Sequence, residues 1–357
     1  MFNAGRLSLA RARRGMTAKA LAEKAGVGVD TITRLEKGRN EPESETIEKL
    51  GEALGYPPNF FMGEDIEEVD VGAVSFRSFS KMTARERNAA IAAGSLGLLL
   101  NGWIEDRFGL PDPEFPDELS EETDPEVAAT RLRHHWGIGQ QPIGNLLGLL
   151  ETKGVRMLSL SENTASVNAF SFWRGGKPYV FLNNFKSAES SRFDAAHELG
   201  HLVLHRHGDP KGDRSLEKEA NSFASAFLMP ADDVRARAPR VISTEVILKA
   251  KLRWRVSAMA LAYRLHHIGR LSDWQYKSIC IDLSRRGYRS GEPIGIEREL
   301  SVLWKKVLTM LWQERVTRDD ISEELGLPVD ELDSLIGSLT GTKRGGRPIR
   351  RGSLNAV

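Results

Sequence analysis

Two histidines and a glutamate in the run RFDAAHELGHLVLH (192–205) have the types and spacing for metal chemistry. Residues four apart share one face of a helix, so His197 and His201 can both aim imidazole nitrogens at one ion. Glu198 stands one step round, beside the ion rather than on it. From there its carboxylate can take a proton from coordinated water. A five-residue pattern is short, so its surroundings carry the argument. Residues 178–183 (PYVFLN) read as a β-strand just before it, and Phe193, Leu199, Leu202 and Val203 give the segment the apolar faces of a buried helix.

A third donor is needed, and the chain offers one downstream. Residues 217–230 (EKEANSFASAFLMP) read as an amphipathic helix ended by a proline. Glu217 or Glu219 near its start can complete a two-His, one-Glu site with a fourth position for water, and Glu217 is favoured. Asn221, four residues on, shares that face and can brace a ligand, while Glu219 is expected to face elsewhere. His205 extends the histidine face by one turn, either as a fourth ligand that closes the site or as a polar helix end. His207 ranks below Glu217 as third ligand, because Leu204 stands where a longer His-rich pattern needs a turn glycine.

The stretch from 170 to 230, with FLNNFKSAESSRFDAAHELGHLVLH and EKEANSFASAFLMP, resembles the ImmA/IrrE family of zinc metallopeptidases. The resemblance implies a zincin-like domain in which His197, His201 and Glu217 bind Zn2+ and Glu198 is the catalytic base. It also implies a protein substrate, a repressor or antitoxin-like protein. Such domains often follow a DNA-binding module of the XRE (Cro/CI-like) type.

The N-terminus carries the signal of that module. Residues 1–40 hold nine Lys/Arg and three Asp/Glu, a balance of 9 − 3 = +6, whereas residues 41–65 hold one Lys and seven acids, or −6. Helices are expected over 7–13, 18–25, 30–37 and 45–54, with Thr17 and Ser44 as N-caps and Gly26-Val27-Gly28 as a tight turn. Two helices joined by a glycine turn make a helix-turn-helix, in which Ile32 and Leu35 face the core. Asp30, Thr31, Thr33 and Arg34 then line the face that enters a major groove of double-stranded DNA, and Lys37 and Arg39 suit phosphates. The run TAKALAEKAGVGVDTITRLEKGRNEP closely resembles the XRE type, which implies a homodimer on two half-sites.

Composition bounds the rest. A chain of 357 residues suits two or three domains, and 40% apolar with 28% charged residues is ordinary for a globular protein. No run approaches the roughly 18 apolar residues of a membrane span. Cys280 is the single cysteine, so neither an intrachain disulfide nor a cysteine zinc cluster is available, and a reducing cytoplasmic location is expected.

The remaining elements must position the site. A strand is expected over 74–79 and a helix from 84 to 100 or beyond, capped by Thr83. The proline-rich, acidic stretch 109–125 reads as a surface loop. Helices are expected over 125–134 and 142–153, and strands over 155–160, 167–173 and 178–183. The last two strands form a hairpin through Arg174-Gly175-Gly176-Lys177. Strand 178–183, just before the metal helix, is expected at a sheet edge, where an extended peptide can dock. His134 and His135 are adjacent on a helix and cannot chelate together. Further helices are expected over 243–252, 257–268 and 272–283, with Tyr263, Arg264 and His266 as candidates to hold a developing oxyanion. Residues 317–335 (TRDDISEELGLPVDELDSL) mimic a helix-turn-helix, but their acidity favours packing or a protein partner over DNA.

The sequence therefore predicts a mainly α protein with a small β-sheet (α+β). Its expected divisions are a helix-turn-helix domain (1–65), a linker and helical segment (66–125), a zinc peptidase domain (126–286), a C-terminal helical region (287–340) and a basic disordered tail (341–357). The functional expectation is a transcriptional regulator carrying a zinc endopeptidase. The alternative is a regulator whose zinc domain is a non-proteolytic sensor or interaction module.

Overall fold

The structure is a computed structural model that describes residues 1–70, 74, 82–160, 169–183, 186–206, 214–239, 241–288 and 291–341. Residues 75–79 of the expected first strand, residues 167–168 of a later one, His207, and the tail beyond 341 lie outside the described residues. The described residues form sixteen α-helices and one three-stranded sheet, which makes the fold α+β.

Helices α1 (Ala4–Arg13), α2 (Ala18–Ala25), α3 (Val29–Glu36) and α4 (Ser44–Leu54) form the N-terminal bundle. α1 begins three residues before its expected start because the Asn3 side chain accepts from the Arg6 N–H. Thr17 caps α2 as expected, and Gly26 ends it at φ 67°, a left-handed position that suits glycine. Ser44 is not the cap of α4; Glu43 holds that position, and its side chain makes no capping bond. Leu7, Leu21, Ile32, Leu35, Leu50, Phe60 and Phe61 fill the bundle core.

Helix α5 (Ala84–Glu105) starts in a capping box between Thr83 and Glu86. It packs on α1 and also covers one face of the sheet. Strands β1 (Arg156–Leu160), β2 (Ala169–Arg174) and β3 (Lys177–Asn183) lie in the order β1-β3-β2. β1 runs parallel to β3, and β2 antiparallel. Gly175 and Gly176, at φ 55° and 74°, make the tight hairpin turn whose twist matches its strands. The expectation of an edge position for 178–183 is corrected here. β3 is the central strand, because the hairpin partner takes one flank and β1 the other, and among the described strands β2 is the outer one beside residues 188–204.

Alternation along the strands assigns the two faces. Phe170 pairs with Phe181 and Phe172 with Tyr179, and these rings stack on the α5 side. A Cβ on Gly97 of α5 would lie 2.6 Å from Phe181 Cζ, so the helix meets the sheet there at glycine distance. Asn101 of α5 donates to the Tyr179 hydroxyl at 2.9 Å. The opposite face carries Ser171 and Trp173 and receives helix α8 (Ala188–Leu204).

Helix α6 (Pro125–His135) is capped by Asp124, and a short 3-10 turn, Asp117–Glu121, interrupts the proline-rich stretch. Helix α7 (Leu146–Thr152) is shorter than the expected 142–153. Its N-terminus is set by Asn145 and by Glu299, which accepts from the Leu146 and Leu147 N–H groups at 2.8 and 3.3 Å. Helices α9 (Arg214–Leu228), α10 (Ala231–Arg237), α11 (Thr244–Trp254), α12 (Ala258–His267) and α13 (Asp273–Arg285) follow, and of these α10 was not foreseen. Helix α14 (Val302–Gln313) is capped in turn from α7: Glu151 of α7 accepts from the Val302 and Leu303 N–H groups at 2.8 and 2.9 Å.

The acidic segment near the C-terminus forms α15 (Arg318–Leu325) and α16 (Val329–Ile336). It packs against the protein's own basic helix. Glu331, 1% exposed, meets Arg13 Nε at 2.8 Å and Arg14 Nη1 at 2.9 Å, and accepts from the Tyr56 hydroxyl at 3.1 Å. On its other side, the Ser334 carbonyl accepts from Ser159 of β1 at 2.7 Å, and Glu324 accepts from Trp103 of α5 at 2.7 Å. The α15–α16 pair thus links the N-terminal bundle, α5 and the sheet.

Candidate metal centre and DNA-facing helix

Ser187 caps α8 by accepting from the Ser190 N–H, and the helix then runs unbroken through both histidines. Helix α9 crosses it at Gly200, where an added Cβ would stand 3.1 Å from Ala220 Cα. The missing side chain lets the two helices approach closely. Glu217, one turn before Ala220, is thereby carried to the histidine face.

His197 Nε2 and His201 Nε2 are 3.1 Å apart, and Glu217 places Oε2 at 3.5 Å from the first and Oε1 at 3.3 Å from the second. A tetrahedral metal with bonds of about 2.0–2.2 Å has ligand–ligand edges of roughly 3.3–3.6 Å; the two Glu217 distances fall in that range and the histidine pair lies slightly inside it. Among the described residues they are the one group of three His, Cys, Asp or Glu side chains close enough to hold an ion. Both histidines are buried. Burial works against ionisation of Glu217, but the closeness of His197 and His201 works for it and holds the carboxyl well below the usual carboxylate range. An ionised carboxylate is the form a metal requires.

The surrounding contacts orient the rings. Asn221 Oδ1 lies 3.2 Å from His197 Nδ1, and its amide nitrogen donates to the Glu217 carbonyl at 2.7 Å. With the amide oxygen toward the ring, Nδ1 carries the proton and Nε2 keeps a lone pair for the cluster. Two imidazole nitrogens and a carboxylate facing one point are the arrangement a cation would satisfy, and the set of donors fits zinc.

Glu198 is 1% exposed and stands outside the ligand group. Its Oε2 accepts from Ser171 Oγ of β2 at 2.7 Å. Sequence reasoning did not single out Ser171, although its place on the α8 face of an alternating strand was the available signal. Glu219 stands outside the ligand group and meets His205, and both ring nitrogens of His205 are engaged with His201 and Glu219. Burial pushes the His205 imidazole below its usual range, against the pull of Glu219.

The expected oxyanion candidates separate. Arg264 is committed to Glu126 and the Met229 carbonyl, and His266 faces Asp273 at 2.7 Å. Tyr263 lines a groove of about 590 Å³ with Phe193, Lys218, Asn221 and Met259. His134 and His135 belong to no ligand group among the described residues.

In the N-terminal bundle, Asp30, Thr31, Arg34, Lys37 and Arg39 are exposed and Thr33 is half-buried, its hydroxyl donating to the Val29 carbonyl. Ile32 and Leu35 are buried beneath them. The basic count needs a correction. Arg6 is bound to the Phe60 and Glu64 carbonyls, Arg11 to Glu36, and Arg13 and Arg14 to Glu331. Five of the nine basic residues, Lys19, Lys24, Arg34, Lys37 and Arg39, are exposed.

Residues 150–266 match the family model described as IrrE N-terminal-like domain, of peptidase family M78. Residues 7–61 match the one described as Helix-turn-helix. A comparison with curated proteins gives no match.

Proposed function

We propose, for a chain that joins an XRE-type helix-turn-helix to an ImmA/IrrE-type peptidase-like domain, that it is a DNA-binding transcriptional regulator whose second domain is a zinc endopeptidase. The observation that carries the reading is the convergence of His197 Nε2, His201 Nε2 and Glu217 on one point, with Glu198 held outside that group. His197, His201 and Glu217 are the residues that would hold zinc. When bound, the ion would supply a positive charge that polarises the scissile carbonyl and acidifies water. Glu198 would take a proton from the attacking water as its oxygen bonds to the carbonyl carbon and return it to the amine as the C–N bond breaks, and Ser171 would keep that carboxylate aimed.

The domains proposed are 1–65 for DNA, 126–286 for peptide cleavage and 287–340 as the packing region between them. The substrate class, a repressor or antitoxin-like protein, rests on the family resemblance, as does a homodimer, while a cytoplasmic site of action rests on the single cysteine. No helix among the described residues is long and apolar enough to cross a membrane. In the DNA-bound state Thr31, Thr33 and Arg34 meet base edges, with Asp30 at the head of α3, while Lys37 and Arg39 meet phosphates.

The test is to incubate zinc-loaded protein with the products of neighbouring genes and look for fragments. Fragments formed by the wild type and not by Glu198→Gln support the reading. Fragments formed equally by both overturn it.

A further inference from the structure

His205 and Glu219 stand outside the ligand group, and the function proposed above gives neither a part. The His205 side chain is 6% exposed, at the C-terminal end of α8. Its Nδ1 is 2.9 Å from His201 Nδ1, and its Nε2 is 3.0 Å from Glu219 Oε2. Two ring nitrogens at that distance pair as one donor and one acceptor. A carboxylate only accepts, so His205 Nε2 bears a proton toward Glu219. A neutral His205 then accepts at Nδ1, and His201 must donate from its own Nδ1. That choice leaves His201 Nε2 with a lone pair, 3.3 Å from Glu217 and 3.1 Å from His197 Nε2.

We propose that His205 and Glu219 are positioning residues that hold His201 in the ligating tautomer, in a relay from Glu219 through His205 to His201 and so to the metal. The proposal rests on the metal-site reading above and assigns its outer support. It also removes His205 as a fourth ligand, since both of its nitrogens are engaged and its Nδ1 faces the side of His201 turned away from the cluster. The two ligand histidines are braced differently: His197 directly by the Asn221 amide, His201 through a second imidazole. The direction of the relay is set at its far end. A carboxamide in place of Glu219 could donate to His205 Nε2, moving the proton to His205 Nδ1 and, through His201 Nδ1, turning an N–H of His201 toward the cluster. Shape would be kept and direction lost.

The experiment measures zinc affinity of the full chain by competition with a chromophoric chelator, for the wild type, Glu219→Gln and His205→Phe. The relay predicts binding roughly 10- to 100-fold weaker in both variants, with the thermal midpoint of the metal-free protein unchanged for Glu219→Gln. Wild-type affinity in both variants overturns the relay while leaving the three-ligand site intact. A wild type that binds no zinc overturns the metal-site reading itself, and the relay with it. A second measurement needs no variant: long-range ¹H–¹⁵N spectra of the zinc-loaded wild type should show His205 protonated at Nε2 alone. A proton on its Nδ1 overturns the proposal.

Discussion

Ser171 Oγ donates to Glu198 Oε2 across 2.7 Å, from β2 to the helix that carries His197 and His201. Both residues are 1% exposed, so the bond is shielded from bulk solvent. A hydrogen bond to a charged group contributes about 1.5–3 kcal/mol. Ser171→Ala is therefore expected to lower kcat by about 10- to 100-fold, with zinc stoichiometry unchanged. Steady-state kinetics beside metal analysis checks both halves, and a loss of zinc would show that Ser171 supports the fold of the site rather than the base.

Gly200 sets the approach of α8 and α9. A side chain there meets the Ala220 backbone and Phe223, both at about the limit of contact. Gly200→Leu should push Glu217 away from the histidines, and overpacking of this kind costs about 1–3 kcal/mol. The expected result is lost zinc binding, read by metal analysis, with duplex binding by the N-terminal bundle retained.

Gly97 makes the equivalent contact on the far face of the sheet. Gly97→Val would drive its Cβ into Phe181 and Leu158, at 2.6 and 2.8 Å. A loss of about 1–3 kcal/mol in denaturant unfolding is expected. An unchanged midpoint would mean that α5 does not press on the sheet.

Glu331 holds the C-terminal helices to the DNA-binding bundle through Arg13, Arg14 and Tyr56. Removing one partner of a buried ion pair costs about 3–5 kcal/mol. Glu331→Gln should raise amide exchange in α1 and α16 together. If exchange rises in α16 alone, the bundle is held by α5 instead.

On DNA, Lys37→Ala should weaken binding about equally for every duplex and reduce the salt slope by about one. Arg34→Ala should instead change which duplexes are preferred. Identical effects of the two substitutions on a panel of sequences would contradict that division of roles.

Local chemistry made part of this legible in the sequence. The nearness of His197 to His201 follows from helical spacing alone, and Thr17, Thr83 and Asp124 cap helices by rules that span three residues. Long-range partners were not legible. Nothing local says that Arg13 and Arg14 are committed to Glu331, more than 300 residues on, so a count of nine basic residues overstates the exposed positive charge. The start of α7 depends on Glu299, far along the chain, and the hydrophobic run 142–153 alone overextends the helix. Strand order is likewise absent from a two-residue period: PYVFLN reads the same at an edge or in the centre. Ser171 is an ordinary strand serine until α8 is laid across it.

The most direct measurement is zinc stoichiometry across five proteins: the wild type, His197→Ala, His201→Ala, Glu217→Ala and Glu198→Gln. The predicted result is one zinc in the wild type and in Glu198→Gln, and none in the three ligand variants. Zinc lost from Glu198→Gln, or retained when any of the three ligands is removed, would contradict the account.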